Sequence, residues 1–291
     1  MPRRKPWLLF AIITTAFWGL WGALIEIPEK SGFPATLGYT VWALTMILPS
    51  LIALWLVQWR LEYNARSVFL GLIIGLTGAG GQLVLFLALR SGPAYLVFPF
   101  ISLSPVITII MSLIFLKERT SLSGWIGIFL ALSAIPLLSY QSADGNNIEN
   151  FVWIFLSLLV FLAWGFQAFV MRLANKFMSA ESIFFYMMVT GIMLIPFAIW
   201  MTDFSQPINW GFKGPWITGM IQILNAVGAL MLVYAFRYGK AIIVSPMTNA
   251  LAPVITIIIS LLIYQVFPDI IILTGMILAI LSAFLLAIEN E

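Results

Sequence analysis

The chain contains no cysteine and no histidine, and only 9% of its 291 residues are charged. Without cysteine there are no disulfides and no thiolate metal sites. Without histidine the commonest proton carrier near neutral pH, also the commonest metal ligand, is missing. No Asn-X-Ser/Thr acceptor occurs, which favours a bacterial origin. No Asp or Glu falls deep inside an apolar run. Glu26 comes nearest, in Leu24-Ile-Glu-Ile-Pro28. Soluble proteins carry about 25% charged residues, so an ordinary soluble domain is excluded. The net charge of +3 points to membrane topology and not to nucleic acid.

What the chain has is apolar length. Apolar residues make up 62% of it, and the charges fall between ten uncharged stretches: 6–25, 31–59, 67–89, 91–116, 120–143, 150–171, 182–202, 214–236, 241–268 and 270–288. A helix needs roughly 20 apolar residues to cross the hydrocarbon core, so the expected fold is all-α, a polytopic integral membrane protein of ten transmembrane helices. Barrel strands would be about 10 residues long and alternating. The basic start Met1-Pro-Arg-Arg-Lys-Pro precedes a run too long for a cleaved signal and without a small-residue cleavage site, so a retained first helix is expected. With the N-terminus inside, eleven Lys and Arg fall on the inner side and three (Lys30, Arg90, Lys213) on the outer side. Lys and Arg concentrate in cytoplasmic loops, so both termini are expected in the cytoplasm. The loops are too short for a soluble domain, and any function must lie among the helices.

The chain also repeats itself. Pro-Val-Ile-Thr-Ile-Ile occurs at 105–110 and again at 253–258. At nearly the same offset Trp18-Gly19 meets Trp164-Gly165, Lys30 meets Lys176 and Pro49 meets Pro196. Gly81 meets Gly228, Arg90 and Gly92 meet Arg237 and Gly239, Pro99 meets Pro246, and Gly127 meets Gly275. The expected units are 1–143 and 151–291, joined by an external linker at 144–150. Five helices per unit is odd, so the second unit starts on the opposite side and the repeat is inverted. Inverted repeats characterise many secondary transporters.

Several stretches of the first unit carry a resemblance. Ala88-Leu-Arg-Ser-Gly-Pro-Ala94 leads into the fourth helix, followed by Leu103-Ser-Pro105, Leu116-Lys-Glu-Arg-Thr-Ser121 and Trp125-Ile-Gly127. Here the chain resembles the drug/metabolite transporter superfamily, in particular the EamA-type ten-helix transporters. The resemblance covers the full length and implies a small-molecule carrier, while family substrates range from amino acids and sugars to nucleotides and drugs. The second unit departs from the pattern. Its counterpart, Tyr264-Gln-Val-Phe-Pro-Asp269, lacks the acidic-basic exit loop.

Candidate site residues follow from polarity inside the spans. Pro99 and Pro105 in the fourth span and Pro246 and Pro253 in the ninth each remove a helix donor, as hinges beside a cavity or as packing kinks. Irregular backbone at membrane depth is tolerated where it faces protein or a water-filled cavity. Pro99 to Pro105 is six residues but Pro246 to Pro253 is seven, with the extra residue near Asn249. Gln82, Ser102, Gln167, Gln222, Asn225 and Asn249 are polar groups in apolar helices, open to a ligand or to an interhelical hydrogen bond. Trp18, Trp21, Trp42 and Trp164 are cavity walls or lipid-facing rings. Glu26, near the outer edge, is a proton-exchange candidate or an interfacial charge. The glycine stripe Gly71, Gly75 and Gly78 reads as a packing face.

The resulting expectation is a cell-membrane carrier for a neutral, zwitterionic or partly apolar solute, working as a monomer or homodimer in the lipid bilayer. No catalytic residue, metal or cofactor is expected. A lipid-handling enzyme would need an in-membrane catalytic constellation, and a non-transporting sensor would not need the inverted repeat.

Overall fold

The computed structural model describes residues 5–92, 94–140, 152–264 and 268–289, with the side chains of 94, 95, 99 and 264 excluded. The expected linker 144–150 and the side chain of Pro99 therefore lie outside the described residues. Among those residues every regular element is helical, and nine helical runs are long and apolar enough to cross a membrane. A tenth apolar helix, Leu122–Leu138, has 17 residues, the short limit of a crossing.

The first unit opens with α1 (Pro6–Leu24), extended by the short α2 (Glu26–Lys30). The second span is bent into α3 (Ala35–Thr45) and α4 (Ile47–Leu56). Pro49 lacks the N–H that would bond Thr45, and the helix tightens at Met46. Then come α5 (Ala65–Ser91), α6 (Ala94–Ser102), α7 (Pro105–Met111) and α8 (Leu122–Leu138). In the second unit α9 (Val152–Ala174) is followed by α10 (Ala180–Met193) and α11 (Ile195–Trp200), bent at Leu194 just before Pro196. The chain ends with α12 (Ile217–Tyr238), α13 (Ala241–Tyr264) and α14 (Ile270–Ile288). Polar caps start several helices: Asn64 accepts from Ser67 N, Ser121 from Gly124 N, Ser179 from Ser182 N and Asp269 from Ile271 N. These caps satisfy donors a helix end leaves free.

The two proline-bearing spans differ. The fourth is broken between α6 and α7 at Leu103–Ser104, immediately before Pro105. It ends in a π turn, Ser112–Leu116, and Lys117 takes a left-handed conformation at φ 54°. The ninth is one continuous helix through both Pro246 and Pro253. The expected pair of interrupted helices is thus a break in the first unit only. A proline can remain inside a membrane helix where neighbouring elements and side-chain hydroxyls satisfy the freed carbonyls. On α13 the carbonyls that Pro246 and Pro253 free are those of Ile242 and Asn249, and the helix runs through both prolines unbroken.

Lys5 Nζ donates to Ala287 O at 2.9 Å and Glu289 O at 2.6 Å. The start of α1 and the end of α14 therefore lie together, at the terminal end of the bundle. At the opposite end Asn209 Nδ2 donates to Ser31 O and Arg90 Nη2 to Met201 O. Helix α1 packs along α12 and α13, α5 along α9 and α10, and α8 along α14. Small residues permit these approaches. Gly71 and Gly75 of the expected stripe lie against Tyr186 and Thr190 of α10, and Gly78 lies against Gln167.

Close contacts recur with the two units exchanged. Gly228 lies under Trp18, and Gly81 under Trp164. Thr256 Oγ1 donates to Gly19 O at 3.0 Å, and Thr108 Oγ1 to Gly165 O at 2.9 Å. Gly239 lies against Trp7 and Gly92 against Trp153, while Gly127 meets Leu286 and Gly275 meets Leu138.

Candidate functional site

Trp18 and Trp164 each stand twelve residues past the start of their helices, about 18 Å along at 1.5 Å per residue. They lie at mid-depth on helices that start at opposite ends. Trp18 Nε1 donates to Asn225 O at 3.3 Å, and Trp164 Nε1 to Gly78 O at 3.2 Å. Each indole lies against a neighbouring helix at a glycine, so its N–H reaches a main-chain carbonyl. A buried tryptophan usually finds such a partner.

One polar chain ties α1, α3 and α12 together. Trp21 Nε1 donates to Gln222 Oε1 at 2.9 Å, and Gln222 Nε2 donates to Gly38 O at 3.3 Å. Gln222 is buried, with its amide bonded at both ends. One helical turn on, Asn225 lends only its backbone carbonyl to Trp18. Among the described residues the side-chain amides of Asn225, Gln82 and Gln167 have no hydrogen-bond partner, and all three are half-buried. Gln167 lies against Gly78, one turn before Gln82 on α5. The indole N–H of Trp42 and the hydroxyl of Thr40 are buried without partners on α3. The Trp42 ring packs edge-on against Tyr39, with centroids 5.3 Å apart. Unpaired polar groups at membrane depth are costly unless something polar meets them.

The remaining candidates lie elsewhere. Ser102 Oγ donates to Phe98 O and sits 3.2 Å from Ser139 Oγ, towards the opposite end of α6. Asn249 folds back onto Ser245 O of its own helix. Glu26 is exposed and pairs with Lys30 one turn away, as an interfacial charge would. Pro105 opens α7, while Pro246 and Pro253 lie within α13.

Polarity alone passed over Thr108 and Thr256, the one hydroxyl residue in each copy of the repeated hexapeptide. Thr108 bonds α9 and also meets Ser245 Oγ of α13 at 3.5 Å. Their equivalent places in the repeat were the available signal.

Charged groups cluster at the bundle ends, each beside a cleft. At the terminal end a cleft of about 370 Å³ is lined by Val57, Arg60, Glu62 and Ser179, among others. At the opposite end one of about 300 Å³ is lined by Glu29, Gly32, Arg90 and Asp203, among others. Glu62 joins the units: its carboxylate accepts from Ser179 Oγ, Ser179 N and Ser182 Oγ, and its carbonyl accepts from Tyr186 Oη. Burial pushes this carboxyl up, but the serine hydrogen bonds outweigh burial and hold it below its ordinary value. A depressed folded value favours the folded state above the unfolded value and loses that contribution as pH falls through the folded value. The melting temperature is therefore expected to drop as pH falls below about 4.3, the ordinary glutamate value, and to drop less in Glu62→Gln. Equal drops in a pH-resolved melting series would refute that role.

The chain matches the EamA-like transporter family over residues 5–140 and again over 151–288. It is 27% identical over 209 residues to Protein LicB of Haemophilus influenzae, covering 69% of this chain and 70% of that protein. It is 31% identical over 136 residues to an uncharacterized transporter in the cobO 3' region of a Sinorhizobium species, covering 46% of this chain and 96% of that one. A crystal structure 16% identical superposes with a TM-score of 0.77, covering 96% of this chain and 98% of that chain. The likeness to that structure extends to the fold alone. With two family-matching segments spanning most of an all-helical, strongly apolar chain, the protein belongs to the EamA-like transporter family and is a multi-pass membrane transporter.

Proposed function

We propose that the protein moves a small organic solute by alternating access between two inverted five-helix units, 1–143 and 151–291, with ten crossings and both termini cytoplasmic. The observation that carries this reading is the set of unpartnered amides beside the mid-depth tryptophans: Gln82 and Gln167 where α5 meets α9, and Asn225 where α1 meets α12. The exchanged contacts around them support two related units that can rearrange against each other. The basic residues support the orientation: among the described charges the terminal end holds most of the Lys and Arg, including Arg60, Arg66, Arg172 and Arg237. Amides and indoles can bind and orient a neutral or zwitterionic solute without a fixed charge. The absence of a carboxylate among these groups supports exchange or facilitated diffusion over ion coupling.

Counterflow in proteoliposomes tests this, using a panel of labelled metabolites with and without a pH gradient. The expected result is exchange of at least one neutral or zwitterionic solute at a rate indifferent to the gradient. Exchange of no solute in a broad panel would contradict transport, and acceleration by the gradient would contradict the uncoupled mechanism.

A further inference from the structure

The acidic-basic exit loop after α7 is a sequence motif the solute site does not use. Glu118 lies in it, 9% exposed. The loop is shaped to aim this side chain inward. The Ser112 carbonyl closes the π turn by accepting from Lys117 N and Glu118 N, and Lys117 turns the chain through its left-handed conformation. Glu118 Oε1 accepts from Arg172 Nε at 2.9 Å, and Oε2 accepts from Ile242 N at 3.2 Å. Arg172 Nη1 in turn donates to Phe236 O at 2.8 Å and Arg237 O at 3.0 Å. The carboxylate thus sits at the N-terminus of α13 and the guanidinium at the C-terminus of α12, each matching the partial charge of its helix end. One ion pair joins four elements of the terminal end: the exit loop, α9, α12 and α13.

Among the described residues the opposite end lacks this arrangement. At the offset that pairs Trp18 with Trp164 and Lys30 with Lys176, Arg172 corresponds to Glu26. At the offset that pairs the two hexapeptides, Glu118 corresponds to Val266, outside the described residues. A carboxylate and a valine cannot form the pair, and Glu26 instead bonds Lys30 at the surface. Units that exchange so many contacts therefore differ in this one.

We propose that Glu118 and Arg172 form a one-sided latch that holds the terminal end closed and must separate each time that end opens. The latch rests on the alternating-access reading and deepens it: the two access states are unequal, and the state closed at the terminal end is favoured. Removing the charge leaves Arg172 half-buried without its counter-ion, and water entering the opened end would solvate it.

The cysteine-free chain allows a direct test. Single cysteines are placed one turn inside each end, at Ser245→Cys on α13 and at Phe98→Cys on α6. Each is labelled in vesicles with a membrane-impermeant thiosulfonate added on its own side. Glu118→Gln is expected to speed labelling at 245 at least fivefold and to slow labelling at 98. Loosening by a merely structural defect would speed both, and that result, or unchanged rates, would overturn the latch. If Glu118→Gln is not recovered folded, Glu118→Asp withdraws the carboxylate by one methylene. It should move both rates in the same opposed directions, and unchanged rates there would equally overturn the proposal. Counterflow by the unsubstituted protein, run alongside, reports on transport separately. Exchange together with an unmoved Glu118→Gln profile removes the latch alone, while no exchange from the unsubstituted protein removes the reading on which it rests.

Discussion

Replacing Gly165 with valine is expected to prevent recovery of folded protein, and Gly19→Val is expected to do the same. A Cβ on Gly165 would lie 2.5 Å from the carbonyl oxygen of Ser104 and 2.5 Å from Ile107 Cβ. On Gly19 it would lie 2.4 Å from Ile255 Cβ and 3.1 Å from Ala252 O. Backbone oxygens and β-branched side chains cannot swing aside, so the helices must separate. Separation also breaks the Thr108–Gly165 and Thr256–Gly19 hydrogen bonds, each worth about 0.6 kcal/mol in a membrane. Overpacking of this kind costs about 1–3 kcal/mol or more, and two methyls beyond Cβ place valine at the upper end. Gly80→Ala is the control: its Cβ would meet nothing within 4 Å, and alanine favours the helix by about 1 kcal/mol. Thermal melting in detergent should show both valine variants strongly destabilised or absent and Gly80→Ala unchanged or higher. Valine variants with native melting would show that the close approaches of α9 to α7 and of α1 to α13 are not required.

The second large effect separates binding from folding. Asn225→Leu and Gln167→Leu are expected to lower counterflow by about tenfold to a hundredfold, the range for one lost hydrogen bond of 1–3 kcal/mol. Neither should lower stability. Their amides have no protein partner, and replacing an unpaired buried polar group with an apolar one of similar shape is neutral or stabilising. Gln222→Leu provides the contrast. It removes the acceptor of Trp21 and the donor to Gly38, so it should lower both stability and exchange. A variant of Asn225 or Gln167 that melts early with normal exchange would reassign that residue to structure.

Much of this architecture was readable in the chain because the bilayer imposes it. Charges mark helix ends, and residues such as Trp18 with Trp164 and Gly81 with Gly228 mark equivalent places. The bends at Met46 and Leu194 follow from Pro49 and Pro196, which the repeat had already paired. The two other proline pairs misled. Pro105 and Pro253 open identical hexapeptides, yet the helix breaks only at the first, where Ser104 N turns back onto Ile101 O, the carbonyl that Pro105 frees. The site was half legible. Polarity found Gln222 and Asn225 but could not tell the bonded amide from the unbonded one, since that depends on Trp21 and Gly38 from other helices. Glu118 was visible as part of the acidic-basic exit loop, and Arg172 only as a charge counted for topology. Their pairing links positions 54 apart and exists only once α9, α12 and α13 have met.

The central claim is that one mid-depth site opens in turn to each side. Gln82→Cys in the cysteine-free chain tests it most directly, with a membrane-impermeant thiosulfonate applied to right-side-out and to inverted vesicles. The account predicts labelling from both sides, slowed on each by a transported solute. Labelling from one side only, or from neither, would contradict it.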